Sequence, residues 1–165
     1  MNAEDLRALQ KPFKDKYRSA PEAALITLRA QGRLGEGLTC KVETGKALAA
    51  AGLHPASGGT GTSACSGDML LEALVACAGV TLNSVTTALG VDLRDATVHA
   101  EGDLDFRGTL GVDKTAAVGF KAIRLRFELD TDAPKDQIDK LLQLTERYCV
   151  VYQTLRRPPP LQVSA

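Results

Sequence analysis

A chain of 165 residues fits one domain and is long enough to bury a core without disulfide or metal staples. Twenty basic residues against twenty acidic ones leave no net charge, which removes the electrostatic footprint of a nucleic-acid binder. The polar start Met1-Asn2-Ala3-Glu4-Asp5 is unlike a signal peptide, and the apolar run from Met69 to Leu82, broken by Glu72, falls short of the ~18 residues that a membrane span needs; a cytoplasmic protein with no membrane partner is expected.

Along the chain, Leu6, Leu9, Phe13 and Tyr17 recur every three or four residues and predict a helix with one apolar stripe, with Pro12 as an expected kink. Ser19 and Glu22 read as a capping box for a short second turn. Residues 1–24 are thus an N-terminal helical arm and residues 25–165 a single domain. From Leu25 the period falls to two. Ile26, Leu28 and Ala30 alternate with Thr27, Arg29 and Gln31, and Gly32-Arg33-Leu34-Gly35 reads as the turn into a second strand. Cys40 lies on the apolar side of that strand with Leu38 and Val42, and is read as core. Residues 55–67 form a glycine-rich loop without the Lys-Ser/Thr ending of a phosphate-binding loop, so no nucleotide cofactor is expected.

Ser66 and Asp68 suit the start of a helix running from Gly67 to Leu89, and Gly90 suits its end. Apolar residues occur all round this helix, as in a helix enclosed by a core or a subunit interface. The strands available to one chain are too few to enclose it, so a partner chain is expected to cover part of it. Next come two alternating runs. Ala96, Val98, Ala100, Leu104 and Phe106 share one side, as do Ile123, Leu125, Phe127 and Leu129. They predict a long hairpin with a buried and a wet face, on which Glu101 to Asp105 meet Arg124 and Arg126. Thr131 or Asp132 is expected to cap a last helix, with Ile138, Leu141, Leu142, Thr145 and Cys149 on one face. Arg156-Arg157-Pro158-Pro159-Pro160 then stops regular structure, and Leu161 to Val163 read as an added edge strand. The fold class is α+β.

Four cysteines stand at 40, 65, 77 and 149, and none forms a C-x-x-C pair. With only His54 and His99 to join them, no metal site is expected. His99 falls on the wet strand face as a cross-strand pairing residue, His54 precedes Pro55 without a recognisable partner, and Glu72 reads as part of a structural ion pair. Cys65 is an incidental loop thiol. Cys77 and Cys149, each on an apolar helix face, are either packing residues or reactive ones.

The segment from Leu70 to Leu82 around Cys77 resembles the central helix of the OsmC/Ohr family, the osmotically inducible and organic hydroperoxide resistance proteins. Thr145-Glu146-Arg147-Tyr148-Cys149-Val150-Val151 resembles that family's second cysteine segment, and Gly32-Arg33-Leu34-Gly35 the turn that carries its active-site arginine. The resemblance implies an intertwined homodimer, with antiparallel sheets packed around central helices and sites at the interface. It also implies a thiol-dependent peroxidase that reduces organic hydroperoxides, with catalytic residues Cys77, Cys149 and Arg33, no cofactor, and an external dithiol as reductant. Attack needs a thiolate, and a free cysteine with a pKa near ~8.5 is mostly protonated at neutral pH. Arg33 is the candidate cation. Cys149 would resolve the sulfenic acid formed on Cys77. The chain departs from the family at Gly67, where a carboxylate is usual and Asp68 stands beside it, and at Val150, where a proline is usual. The alternatives are a non-catalytic dimer on the same scaffold, binding a ligand or partner, and a cysteine hydrolase or acyltransferase using Cys77 with His54 or His99.

Overall fold

The structure, a computed structural model, describes residues 3–34, 40–42, 51–62 and 64–164. Helix α1 (Ala3–Ser19) leads through a 3-10 turn (Pro21–Ala24) into strands β1 (Leu25–Leu34) and β2 (Cys40–Val42). Strand β3 (Ala51–Gly52), a second 3-10 turn (Pro55–Ser57) and β4 (Ala64–Cys65) precede the long helix α2 (Ser66–Leu89). Strand β5 (Asp95–Asp105), the single turn α3 (Phe106–Thr109) and β6 (Phe120–Asp130) follow, then helices α4 (Lys135–Tyr148) and α5 (Val150–Arg156). Four strands form a sheet in the order β2-β1-β5-β6, and β3 pairs parallel with β4. The result is the mixed helix and antiparallel-sheet class that the alternation predicts. Strand β1 overrides the expected turn: Gly32, Arg33 and Leu34 pair antiparallel with Val42, Lys41 and Cys40. Residues 35–39, where Gly35 of the expected turn falls, lie outside the described residues, as does the side chain of Cys40.

The chain divides into two compact units. The first comprises Met1–Ala30, Thr44–Leu71 and Ala100–Arg124. Its core joins Tyr17, Ala24, Phe106 and Leu110, with Phe13, Ile26 and Leu104 against them. The predicted stripe on α1 explains the docking: Phe13 and Tyr17 lie 6.5 Å apart by ring centroid, and the Tyr17 hydroxyl donates to the Ala56 carbonyl at 2.5 Å. Helix α1 runs through Pro12. The capping box does not form, because the Ser19 hydroxyl donates back to the carbonyls of Asp15 and Lys16 and the following turn has no side-chain cap. On the wet face Arg124 reaches Asp103 and Glu101, as expected, while Arg126 pairs with Glu128 instead. Asp105, expected on that face, is buried at 3% exposure. Strand β5 ends there, and the Asp105 carboxylate caps α3 by accepting from the Arg107 N–H while holding its guanidinium at 2.6 Å. Phe106 therefore enters the core from a helical turn, not from a strand.

The second unit comprises Gln31–Glu43, Glu72–His99 and Leu125–Ala165. Leu82 and Val85 of α2, Ala96 of β5 and Leu141 of α4 are buried together, with Phe127 and Leu129 of β6 packed against them. The even-numbered residues Ala96, Val98 and Ala100 are buried, so the odd-numbered row of β5 faces the other way. Gly90, at φ 64°, closes α2: Val91 N–H bonds the Thr86 carbonyl and Gly90 N–H that of Thr87, a Schellman ending. Taken whole, α2 is long and apolar enough by composition to cross a membrane, with a hydropathy of 1.6 over its best 18-residue window. That corrects the shorter span read from Met69–Leu82. The same apolarity serves packing here, since Leu74, Val75, Ala78 and Leu82 are buried, whereas Met69, Leu70 and Val80 remain exposed on another side. Neither expected residue caps α4. Pro134 occupies the N-cap, Thr131 donates to the Asp92 carbonyl and Asp132 pairs with Arg94. Residues 158–164 carry no regular structure, so no strand forms at Leu161–Val163.

Candidate thiol site

Cys77 lies midway along α2 and is half-buried, whereas Cys149 is 1% exposed. Both belong to the second unit. Helical spacing carries Cys149 onto the buried face of α4 with Leu141 and Thr145, as predicted. What the spacing hides is a one-residue break. Cys149 has φ −71° and ψ 108°, outside the helical region, so α4 ends on it and α5 begins after it. Its N–H closes α4 on the Thr145 carbonyl at 2.9 Å, and its carbonyl accepts from Gln153 N–H at 2.9 Å. Its sulfur accepts from Tyr152 N–H at 3.4 Å, the place an N-cap oxygen usually takes. Glu146 ties α5 back, accepting from the Tyr152 hydroxyl on its carboxylate and from the Gln153 amide on its carbonyl. A proline at 150 would have advertised this helix start, and Val150 gives no such sign.

Cys77 is close enough to perturb the Cys149 thiol, and Cys65, Cys77 and Cys149 are all free thiols, not at disulfide distance. Burial pushes the Cys149 thiol up from 9.0 to about 11, against a lowering by the Tyr152 N–H; the hydrogen bond and like charge of Cys77 add to the rise. At neutral pH Cys149 is thus a protonated thiol. Beyond the pair, a cavity of about 410 Å³ is lined by Val80, Thr81, Ser84, Val85, Leu144 and Tyr148, among others. Val80 and Thr81 lie one helical turn beyond Cys77, and Tyr148 precedes Cys149 in the chain, so the mostly apolar cavity begins one turn from Cys77.

Arg33 is placed differently. Its side chain is 66% exposed and pairs with Asp95 at 3.2 Å. Asp95 belongs to the odd-numbered row of β5, while its neighbour Ala96 packs against Leu82 and Val85 of α2. Within the chain, Arg33 therefore stands on the sheet face turned away from α2. Asp68 lies in the first turn of α2, where burial raises its pKa and the charge of His54 opposes the rise. His54 has partners that sequence reasoning missed: its Nδ1 accepts from Ala56 N–H at 3.0 Å, and its ring stacks on Phe106 at 5.0 Å. Only the extended backbone imposed by Pro55 hinted at such a cap. His99 pairs across the sheet with Glu128 at 3.4 Å, as expected of the wet face. Cys65 lies in β4 and not in a loop. Among the described residues no three His, Cys, Asp or Glu side chains cluster to hold a metal ion.

Two neighbouring thiols, one on a long apolar helix and one at the break between two others, on a sheet-and-helix scaffold, define the class, and comparison with known proteins narrows it. The family model described as OsmC-like protein matches residues 59–164, more than half of the chain. The chain belongs to the OsmC-like family. Its fold is similar to that of an OsmC-like hydroperoxide resistance protein from Jannaschia sp. CCS1, with a TM-score of 0.59 at 15% identity over 84% of this chain and 91% of that one. It is also similar to an OsmC-like protein from Mycoplasma pneumoniae, with a TM-score of 0.57 at 17% identity over 81% of this chain and 86% of that one. No curated protein sequence matches.

Proposed function

We propose that this protein is a thiol-dependent peroxidase that reduces organic hydroperoxides with Cys77 as nucleophile and Cys149 as resolving thiol. The observation that carries the proposal is the asymmetry of the pair: a half-buried thiol close enough to raise the pKa of a fully buried one, with an apolar cavity one helical turn further along α2. The Cys77 thiolate attacks one peroxide oxygen, the O–O bond breaks, and the alkoxide takes a proton and leaves as the alcohol. Cys149 then attacks the Cys77 sulfenic acid, forming a disulfide and releasing water. An external dithiol exchanges with that disulfide, becoming oxidised itself while both thiols return. The groove lined by Val80, Leu144 and Tyr148 favours an alkyl-bearing peroxide over hydrogen peroxide.

The proposed unit is a cytoplasmic homodimer. Met69, Leu70 and Val80 leave an apolar side of α2 exposed in one chain. Because Arg33 faces away from its own α2, the cation at Cys77 is assigned to the Arg33 of a second copy, with the site completed between subunits. The test is peptide mapping under non-reducing conditions after one equivalent of an organic hydroperoxide, with Cys77→Ser and Cys149→Ser as controls. A Cys77–Cys149 disulfide absent from both variants is expected. If both thiols stay reduced in the folded protein, the peroxidase reading falls and a non-catalytic, ligand-binding dimer takes its place.

A further inference from the structure

Cys149 has two occupations that compete. Its sulfur caps α5 by accepting from Tyr152 N–H, and the same sulfur is the one proposed to join Cys77. A disulfide demands an S–S length of ~2.05 Å and a torsion near ~90°, and the pair here consists of free thiols. Closing the bond requires the sulfur to move, and the contact it would give up is the Tyr152 N–H bond, already long at 3.4 Å. What then remains to hold α5 is slight. The helix spans 7 residues and buries none of them fully, whereas isolated helices shorter than ~12 residues are marginal in water. Its other ties are the Gln153 N–H bond to the Cys149 carbonyl, the two bonds to Glu146 and the partly buried Val151, Tyr152, Gln153 and Leu155. Beyond it lies an exposed segment without regular structure.

We infer that oxidation of the Cys77–Cys149 pair uncaps α5, and that the resulting local opening of residues 150–157 admits the dithiol to a sulfur otherwise 1% exposed. The inference rests on the proposed pairing of these two thiols. It also explains how a resolving cysteine can be sealed from solvent before oxidation and still be reached after it.

The test is amide hydrogen exchange by mass spectrometry on peptides covering residues 150–157, using the full chain. The disulfide is made with diamide, so its formation does not depend on peroxide chemistry. Exchange there should quicken about fivefold in the oxidised protein, the scale of a lost N-cap. Reduced Cys149→Ala should exchange as fast as the oxidised protein, and reduced Cys149→Ser, whose hydroxyl can cap, as slowly as the reduced wild type. Glu146→Ala, which frees the Tyr152 hydroxyl, should speed reduction of the disulfide by dithiothreitol about fivefold, as for one lost hydrogen bond. An oxidised protein with a mapped Cys77–Cys149 bond and an unchanged α5 overturns the inference, as does failure of diamide to form that bond. An unchanged reduction rate in Glu146→Ala overturns the access step. Should diamide loosen α5 while hydroperoxide leaves the thiols reduced, the inference stands and the peroxidase reading fails.

Discussion

The chemistry of Cys149 is set by its surroundings, and its titration is accessible to measurement. Burial first, then Cys77, raise its pKa from 9.0 to about 11. A group whose folded pKa is raised supports the fold fully below the unfolded value and loses that support as pH rises through the folded one. Stability should therefore fall between about pH 9 and pH 11, by roughly 2–3 kcal/mol at ~1.4 kcal/mol per pKa unit. Burial also raises the Tyr17 and Tyr152 hydroxyls. The check is the difference between urea-melt stabilities of wild type and Cys149→Ser across this window: the serine variant should show the shallower loss. Asp105 has the opposite sign. The Arg107 hydrogen bond lowers its pKa despite opposing burial, so its contribution is present above 3.8 and lost as pH falls below. Asp105→Ala removes the α3 cap and leaves Arg107 only its longer pairing with Asp113; it should cost ~2 kcal/mol in chemical denaturation at neutral pH. The alternation of β5 read this aspartate as wet, because periodicity assumes that the strand continues through it.

At the scale of elements, local pattern and tertiary packing mostly agree. The α2 helix, its Gly90 ending, the β5 and β6 runs and the α4 face all form where spacing predicts them. Leu141 is fully buried where α4 meets α2 and β5. Leu141→Ala should lower stability by about 2–5 kcal/mol, the cost of a core truncation, as read from the denaturation midpoint. Gly108 is a tighter constraint than its sequence position suggests. A Cβ there would overlap the Ala117 carbonyl oxygen, a backbone atom that cannot swing aside. Gly108→Ala should cost about 1–3 kcal/mol and shift the loop between β5 and β6, visible in the amide spectrum of residues 106–118. Where elements departed from expectation, a competing partner was responsible. Thr131 bonds the Asp92 carbonyl and Asp132 bonds Arg94, which leaves neither to cap α4.

At the scale of the whole molecule, the position of Arg33 turns the oligomeric proposal into a measurement. Mixing Cys77→Ser with Arg33→Ala by joint refolding should recover about a quarter of wild-type peroxidase activity, since half the dimers are mixed and each has one complete site. An arginine acting within its own chain would give no recovery. Light scattering at micromolar concentration should read two chains per particle. The sequence by itself determined the family, the α+β class and the helical placement of Cys77, because each is written in spacings of two to four residues or in contiguous motifs. It also placed Cys149 among the buried positions in line with Leu141 and Thr145. Only the tertiary structure decided that the helix breaks on Cys149, that Asp105 turns inward, that His54 stacks on Phe106 and that Arg33 binds Asp95. These outcomes depend on strand register and on partners dozens of residues away, where a one-residue shift moves a side chain to the opposite face.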